Sequence, residues 1–320
     1  GTIRGHAYWR QCSADVWINT TPFENAVCTI GRRRGLKVTM EYLEAHFTTR
    51  DGLRLYYRDY AGPAGRVPVL CLAGSTSNSK SFDDIALHIA KTRRVLAMDW
   101  RGHGQSQWDP DENHYGFQVD ADDVVEFLGH LGIPKVVIIG TSRGGIISMV
   151  LGLSNPEVLA GAVLNDIGPE IGVAGTKRLQ SRTVIDVAFD TFEEAGRAAR
   201  ERYDTPTPDL DDAYWTTYAH RTCRLHDDGK VRPDYDPGYG RAFRAGQREG
   251  SLWPAFESLA NVPVLAIRGS ESDILEAAGM AAMAARKPDM QTATVPGRNH
   301  CPFLDEPASV DTIDSFLDAV

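Results

Sequence analysis

The residues most capable of chemistry are a glycine-flanked serine motif, GTSRG at residues 140–144, which has the pattern G-x-S-x-G. A buried-strand pattern, KVVIIG at residues 135–140, precedes it, and an apolar stretch typical of a buried helix follows at 146–153. A serine on so tight a strand-to-helix turn has a strained backbone, and side chains two residues before and after it would collide. Because both flanking positions are glycine, the pattern predicts that Ser142 is presented as a nucleophile.

A serine hydroxyl is a weak nucleophile at neutral pH, so this interpretation requires a histidine base and a carboxylate to orient it. His300 follows the strand pattern that ends at residue 297, and Asp273 follows the one that ends at residue 269. The carboxyl ends of parallel strands share one edge of a sheet, so residues far apart in the chain can converge there. We expect His300 to act as the base and Asp273 as the orienting acid.

Other residues compete for these two roles. Asp166 follows the preceding strand pattern, and Glu271 lies in the same loop as Asp273, so both are rival acids. Asp273 also fits the N-cap of a helix that begins at Ile274. His103 is an alternative base, but it lies in the loop of a different strand, in a stretch that we interpret as scaffold.

Two backbone N–H groups are candidates for an oxyanion hole. The N–H of Arg143 lies at the positive end of the helix that follows the nucleophile. The second donor is expected from the loop after the first parallel strand, where Ala73-Gly74-Ser75 lies, and Ser75 is our candidate. An ordinary turn is the competing interpretation of this loop.

These side chains need a scaffold, and the sequence predicts a parallel sheet. Helix-type segments separate six short apolar runs, at residues 67–74, 94–100, 135–140, 161–166, 262–269 and 292–297. Ahead of them, residues 41–60 alternate like a β-hairpin that turns at Asp51-Gly52. The pattern predicts an α/β fold with a doubly wound, mostly parallel sheet.

The alternation of strands and helices breaks near Gly168 and resumes near Pro254. The intervening stretch has helix-like pieces but no buried-strand pattern. We predict a core formed by residues 40–167 and 254–320, a helical cap insertion at 168–253, and an N-terminal extension at 1–39 outside the catalytic domain.

Composition excludes several classes of function. The net charge of -9, with 42% hydrophobic and 24% charged residues, is typical of a soluble globular protein and disfavours nucleic acid or an anionic membrane surface as partner. No apolar run approaches the roughly 18 residues of a membrane helix. The five cysteines are scattered and odd in number, which favours a reducing cytoplasm over a disulfide framework.

No cofactor or metal is predicted. The sequence has neither a P-loop nor a dinucleotide fingerprint. His226-Asp227-Asp228 could suggest metal ligands, but no second histidine lies at ligand spacing, so a solvated turn is the better interpretation.

Over roughly residues 45 to 320 the chain resembles α/β-hydrolase-fold enzymes that act on small molecules. The resemblance rests on five segments: GTSRGG at 140–145, Asp99 with RGHG at 101–104, LNDIGPE at 164–170, Arg268-Gly269 with Ser272-Asp273, and VPG at 295–297 with His300 and Asp305-Glu306-Pro307. It implies Ser142 as nucleophile, Asp273 as acid, His300 as base, and a helical cap between the sixth and seventh strands. Many relatives have His-Gly where this chain has Ala73-Gly74, which makes the oxyanion loop the least secure element.

The main hypothesis is a cofactor-independent serine hydrolase of a small-molecule carboxylic ester or lactone. The same three side chains could serve a carbon–carbon bond hydrolase instead. A ligand receptor that kept the hydrolase scaffold without turnover is the alternative from another class. The sequence leaves the substrate and the oligomeric state open.

Overall fold

The structure is a computed structural model that describes residues 8–13, 16–20, 42–182, 187–203, 205–245 and 251–320. Most of the predicted N-terminal extension lies outside the described residues. Its described part is two strands, β1 (Tyr8–Ser13) and β2 (Val16–Thr20), which pair with each other in a sheet of their own.

The main sheet has eight strands: β3 (Leu43–Thr48), β4 (Arg54–Tyr60), β5 (Val69–Leu72), β6 (Val95–Met98), β7 (Val136–Thr141), β8 (Leu159–Asn165), β11 (Val264–Gly269) and β12 (Gln291–Val295). Their spatial order is β12-β11-β8-β7-β5-β6-β4-β3. Six of these strands, β5, β6, β7, β8, β11 and β12, run parallel, whereas β4 is antiparallel to β6 and β3 is antiparallel to β4. The predicted α/β fold with a mostly parallel sheet is confirmed, and each predicted strand lies within three residues of its expected start.

Ten helices accompany the strands within the described ranges: α1 (Asp83–Ile89), α2 (Phe117–Leu131), α3 (Arg143–Ser154), α4 (Val173–Arg182), α5 (Phe192–Arg202), α6 (Asp212–Thr222), α7 (Pro237–Ala245), α8 (Trp253–Glu257), α9 (Ala277–Arg286) and α10 (Pro307–Ala319). Every residue of β5 and β6 is buried. Strands covered on both faces require continuous apolar runs, which is why these segments do not alternate. Helix α3 packs on β7 and β8, and α10 packs on β11 and β12.

The chain between β8 and α8 forms a separate set of elements. It holds α4 to α7 and a two-stranded hairpin of β9 (Cys223–Leu225) and β10 (Val231–Pro233). Its interior includes a small aromatic cluster around Tyr203, Leu210 and Trp215, which is distinct from the core of the main sheet. We call this part of the chain, residues 168–253, the helical segment.

Among the helices that the structure describes, none has the length and apolar character needed to cross a membrane.

Candidate active site

Ser142 occupies a strained turn between β7 and α3. Its backbone has φ 50° and ψ −108°, outside the regions that non-glycine residues commonly adopt. A Cβ built at Gly140 would overlap the backbone of Gly144, and one built at Gly144 would overlap the carbonyl oxygen of Leu72. The two glycines therefore allow β7 and α3 to approach closely enough for the serine to stand at the end of the strand.

Ser142, His300 and Asp166 form a hydrogen-bonded chain. Nε2 of His300 lies 2.9 Å from Oγ of Ser142, and its Nδ1 lies 2.7 Å from Oδ2 of Asp166. The His300 side chain is only 6% exposed and that of Asp166 is fully buried. The distances meet the requirement for a base to reach the serine proton while a carboxylate holds the opposite ring nitrogen.

Asp166 is itself held by the loop that follows β11. Oγ of Ser272 donates to Oδ2 at 2.5 Å, and the backbone N–H of Gly269 donates to Oδ1 at 2.8 Å. Asp166 has φ 57°, so the chain turns sharply as β8 ends and directs this side chain toward β11 and His300. The carboxylate is thus fixed from both neighbouring strand ends.

The structure corrects the prediction for Asp273, which accepts hydrogen bonds at 2.9 and 2.5 Å from the Arg178 guanidinium of α4 rather than holding His300. These hydrogen bonds also lower the pKa of Asp273. Ser272, one residue earlier, bonds Asp166 and accepts the N–H groups of Ile274 and Leu275. In the loop after β11, Ser272 therefore bonds the acid, Asp166, whereas Asp273 bonds Arg178 of the helical segment.

The two remaining rivals lie elsewhere. Glu271 is exposed and accepts a hydrogen bond from the Ser270 hydroxyl. His103 is buried, and its ring nitrogens lie 2.9 Å from the carbonyl oxygen of Arg101 and 3.0 Å from that of Ser75. Burial lowers the pKa of His103 to about 4. His103 therefore contacts the backbone of the loop that carries Ser75 and has a structural role, as the sequence interpretation of this stretch as scaffold predicts.

Both predicted oxyanion donors belong to segments at the nucleophile. Arg143 is the first residue of α3, directly after Ser142. A Cβ built at Gly74 would lie 3.7 Å from Cβ of Ser142, so the loop of Gly74 and Ser75 lies against the serine. The N–H of Gly74 is directed back to Oγ of Ser77 at 3.1 Å, within the loop itself.

The side chain of Arg143 has a structural role that is separate from the one predicted for its backbone N–H. Its guanidinium is fully buried and donates to the buried carboxylate of Asp120, with Nε at 2.9 Å from Oδ2. It also lies over the ring of Tyr239 from α7, at 4.5 Å from the centroid. These contacts tie the start of α3 to α2 and to the helical segment.

Ser142 and His300 open into a cavity of about 500 Å³. The sheet side of the cavity includes Gly74 and Ser75, and the helical segment contributes a second wall: Leu179, Tyr203, Tyr214, Thr217, Tyr218, Arg221 and Phe243. Cavities of this size accommodate small molecules.

Of the aromatic residues on α6, Tyr214 and Tyr218 line the cavity. Trp215 packs inside the helical segment, and Trp253 and Phe256 belong to the main core. Sequence reasoning missed other contributors to the site: Ser272, Asp84, Arg221 and Asp305. Ser272 directly precedes Asp273, and no pattern in the sequence shows which of these two loop residues contacts the site.

One cluster of possible metal ligands occurs within the described ranges: Asp51, Asp109 and His114. The Arg101 guanidinium lies against it, with Nη1 at 2.5 Å from Asp51 and 2.8 Å from Asp109. A cationic side chain thus already pairs with both carboxylates, and the cluster is part of an ion-pair network.

The sequence model of the family described as the alpha/beta hydrolase fold matches residues 67–307. The chain belongs to this family. The matched span contains Ser142, Asp166 and His300 together with the whole helical segment. The predicted resemblance to α/β hydrolases is confirmed.

Two of the curated relatives are named as hydrolases. The chain is similar to the 3-hydroxybutyrate-oligomer hydrolase of Cupriavidus necator, at 29% identity over 282 residues that cover 82% of this chain and 92% of the relative. It is also similar to the 2-(acetamidomethylene)succinate hydrolase of Mesorhizobium japonicum, at 26% identity over 78% of this chain and 88% of the relative.

A solved α/β hydrolase from Novosphingobium aromaticivorans superposes with a TM-score of 0.84, at 38% identity over 88% of this chain and all of that one. Together with the family match and the relatives' names, this similarity identifies the protein as a hydrolase.

Proposed function

We propose that the protein hydrolyses a small carboxylic ester or lactone through a covalent acyl-enzyme on Ser142. The observation that carries the proposal is the hydrogen-bonded chain from Ser142 through His300 to Asp166. A hydroxyl, an imidazole and a buried carboxylate in this order are the arrangement that makes serine nucleophilic.

In the first half of the reaction, Oγ of Ser142 bonds to the carbonyl carbon of the ester while Nε2 of His300 takes the hydroxyl proton. The carbonyl electron pair moves onto oxygen. When the tetrahedral intermediate collapses, the bond to the alcohol oxygen breaks, and the imidazolium of His300 returns the proton to that oxygen. Asp166 accepts the Nδ1–H throughout, which stabilises the imidazolium.

In the second half, water attacks the acyl carbon and gives a proton to His300. The ester bond to Oγ then breaks, and the proton returns to Ser142 as the carboxylic acid is released. Backbone N–H groups of Arg143 and Ser75 are proposed to bind the oxyanion in both halves. Their positions, at the start of α3 and in the loop against Ser142, support this assignment.

The helical segment is proposed to act as the cap of this enzyme. Seven of its residues line the cavity that contains Ser142, so it separates bound substrate from bulk water. An oligomer of 3-hydroxybutyrate is a chain of carboxylic esters, so the name of the Cupriavidus relative supports ester chemistry here.

The test combines a covalent probe with turnover. The parent enzyme is expected to hydrolyse p-nitrophenyl butyrate and to gain one fluorophosphonate adduct by intact mass, whereas Ser142→Ala is expected to lose the adduct and at least about 10⁴-fold in kcat. Ser154→Ala, an exposed serine at the end of the same helix, is the control that keeps both. Full turnover by Ser142→Ala would refute the mechanism, and ligand binding without labelling of the parent would favour a receptor.

A further inference from the structure

The cavity contains a group of charged and polar side chains that the proposed mechanism does not use. Arg221 of α6 bonds Asp84 of α1, with Nη1 at 2.7 Å from Oδ2. Tyr214, also of α6, donates its hydroxyl to Oδ2 of Asp305 at 2.9 Å. All four residues line the cavity that contains Ser142. We call these four residues the polar patch.

The charges of the polar patch restrict what can bind there. Among the described residues that line the cavity, Arg221 is the single lysine or arginine, and its charge is already balanced by Asp84. Asp305 adds a second carboxylate, so the patch as a whole does not favour an anion. A cationic ligand would in turn face the guanidinium. Burial removes water from the Asp305 carboxylate and raises its pKa, so a neutral hydrogen-bond donor, in addition to the Tyr214 hydroxyl, would stabilise it.

A hydroxyl group meets both requirements. It donates one hydrogen bond to a carboxylate and accepts another from a guanidinium, and it brings no net charge. Aromatic side chains that also line the cavity, including Phe82, Tyr203 and Phe303, suit the carbon chain of such a ligand.

We propose that the polar patch binds an uncharged hydroxyl group of the substrate, through Asp305 and Arg221, and so selects esters of hydroxy acids. The inference rests on the proposed ester hydrolysis and specifies its substrate class. Asp305 and Arg221 are the specificity-determining residues, while Ser142 and His300 carry out the reaction.

The experiment uses the methyl esters of the 3-hydroxybutyrate dimer and trimer, each with the terminal hydroxyl free or O-methylated. A hydrogen bond to a charged group contributes about 1.5–3 kcal/mol, so the free hydroxyl is expected to raise kcat/KM roughly 10- to 100-fold for at least one length. In Arg221→Met and in Asp305→Ala this ratio is expected to fall below about threefold. The ratio is insensitive to the fraction of correctly folded enzyme, so partial misfolding of either variant does not obscure the result.

Arg200→Met is the matched control, because Arg200 forms an exposed ion pair with Asp212 in the helical segment and does not line the cavity. It is expected to keep the parent ratio. The free acids of the same dimer and trimer test the main alternative, in which Arg221 binds a carboxylate.

Three results would overturn the inference: a ratio near one in the parent, a ratio that either variant keeps, or a preference for the free acids that Arg221→Met abolishes. Turnover of p-nitrophenyl butyrate in the same preparation separates the two proposals. If that ester is hydrolysed and the hydroxyl has no effect, only the substrate class is refuted. If neither it nor any oligomer is hydrolysed, the proposed function fails as well.

Discussion

The turn that presents Ser142 and the position that holds the carboxylate at His300 are built in different ways. The turn is made of five consecutive residues, and its geometry follows from the glycines on either side of the serine. The carboxylate position is made from the ends of β8 and β11, where Gly269 and Asp166 are 103 positions apart in the chain. The turn is fixed largely by crowding between Gly140 and Gly144, with Leu72 of β5 also close to Gly144, whereas the carboxylate position is fixed by contacts between distant segments.

The difference explains why one carboxylate could be mistaken for another. Asp166 and Asp273 both follow parallel strands that end at the same edge of the sheet. The two aspartates differ in their hydrogen-bond partners: Ser272 donates to Asp166, whereas Arg178 pairs with Asp273. A charged side chain in a loop is thus assigned by its partners, and those partners come from other elements.

The largest expected effect tests the carboxylate position directly. Asp166→Asn is expected to lower kcat by about 10⁴-fold, because an amide favours the wrong histidine tautomer and cannot stabilise the imidazolium. Asp273→Asn is expected to change kcat less than about threefold, since its carboxylate is engaged by Arg178. Steady-state kinetics on p-nitrophenyl butyrate measure both. The reverse ranking would restore Asp273 as the acid.

A second prediction concerns the loop that lies against the Ser142 turn. Ser75→Pro removes the backbone N–H proposed to bind the oxyanion, and it is expected to lower kcat about 100-fold. Ser75→Ala keeps that N–H and is expected to stay within about threefold of the parent. Thermal unfolding of both variants checks that the loop change leaves the fold intact. Equal activity of the proline and alanine variants would assign the second donor to another residue.

A smaller effect is expected from the residue that connects the two strand ends. Ser272→Ala removes the hydroxyl that bonds Asp166 and accepts two N–H groups of the following turn. We expect kcat to fall about tenfold and the free energy of unfolding to fall by about 1–2 kcal/mol, because buried polar groups lose their partner. Kinetics and urea unfolding measure the two losses, and Ser272→Thr is expected to restore both. Unchanged kinetics in the alanine variant would mean that Gly269 alone holds the carboxylate.

The smallest effect is on the pH dependence of stability. Hydrogen bonds from Arg178 lower the pKa of Asp273 in the folded protein. The charged pair therefore stabilises the fold above the pKa of the unfolded carboxyl, about 3.9, and this contribution is lost as pH falls through the folded-state value. Asp273→Asn is expected to cost less than about 1 kcal/mol at pH 7, because the pair is partly exposed.

Urea unfolding of Asp273→Asn and the parent at pH 7, 5, 4 and 3 measures this dependence. The stability difference between the two proteins should shrink in the lowest part of that range. Asp212→Asn, in a more exposed ion pair, is the control for general charge effects. A difference that stays constant with pH would show that Asp273 stabilises the protein by packing and not by its charge.

Much of the fold could be predicted because each central strand must be apolar on both faces. For this reason β5 and β7 can be recognised in the sequence as continuous apolar runs. The predicted hairpin is also confirmed, with Thr48 opposite Arg54 across the turn at Asp51-Gly52. The division into extension, core and cap stays a prediction.

The cavity could not be predicted in the same way. Tyr214 and Trp215 are neighbours on α6, yet one lines the cavity and the other is buried inside the helical segment. The polar patch depends on α1, α6 and the loop before α10 meeting in space. The sequence of each segment does not show which residues of the other segments it will contact, so only their packing reveals the patch.

The sequence alone determined the order of strands and helices, the serine on its tight turn, and the histidine after the last strand. Steric exclusion within a few residues and the burial of whole strands impose those features. Both can be recognised in short stretches of sequence, as glycines around the serine and as apolar runs. The tertiary structure decided which aspartate reaches the imidazole and which side chains surround the serine. Those choices depend on hydrogen bonds and ion pairs between segments far apart in the chain, where several residues of the same chemical type are equally available until the fold brings one of them within reach.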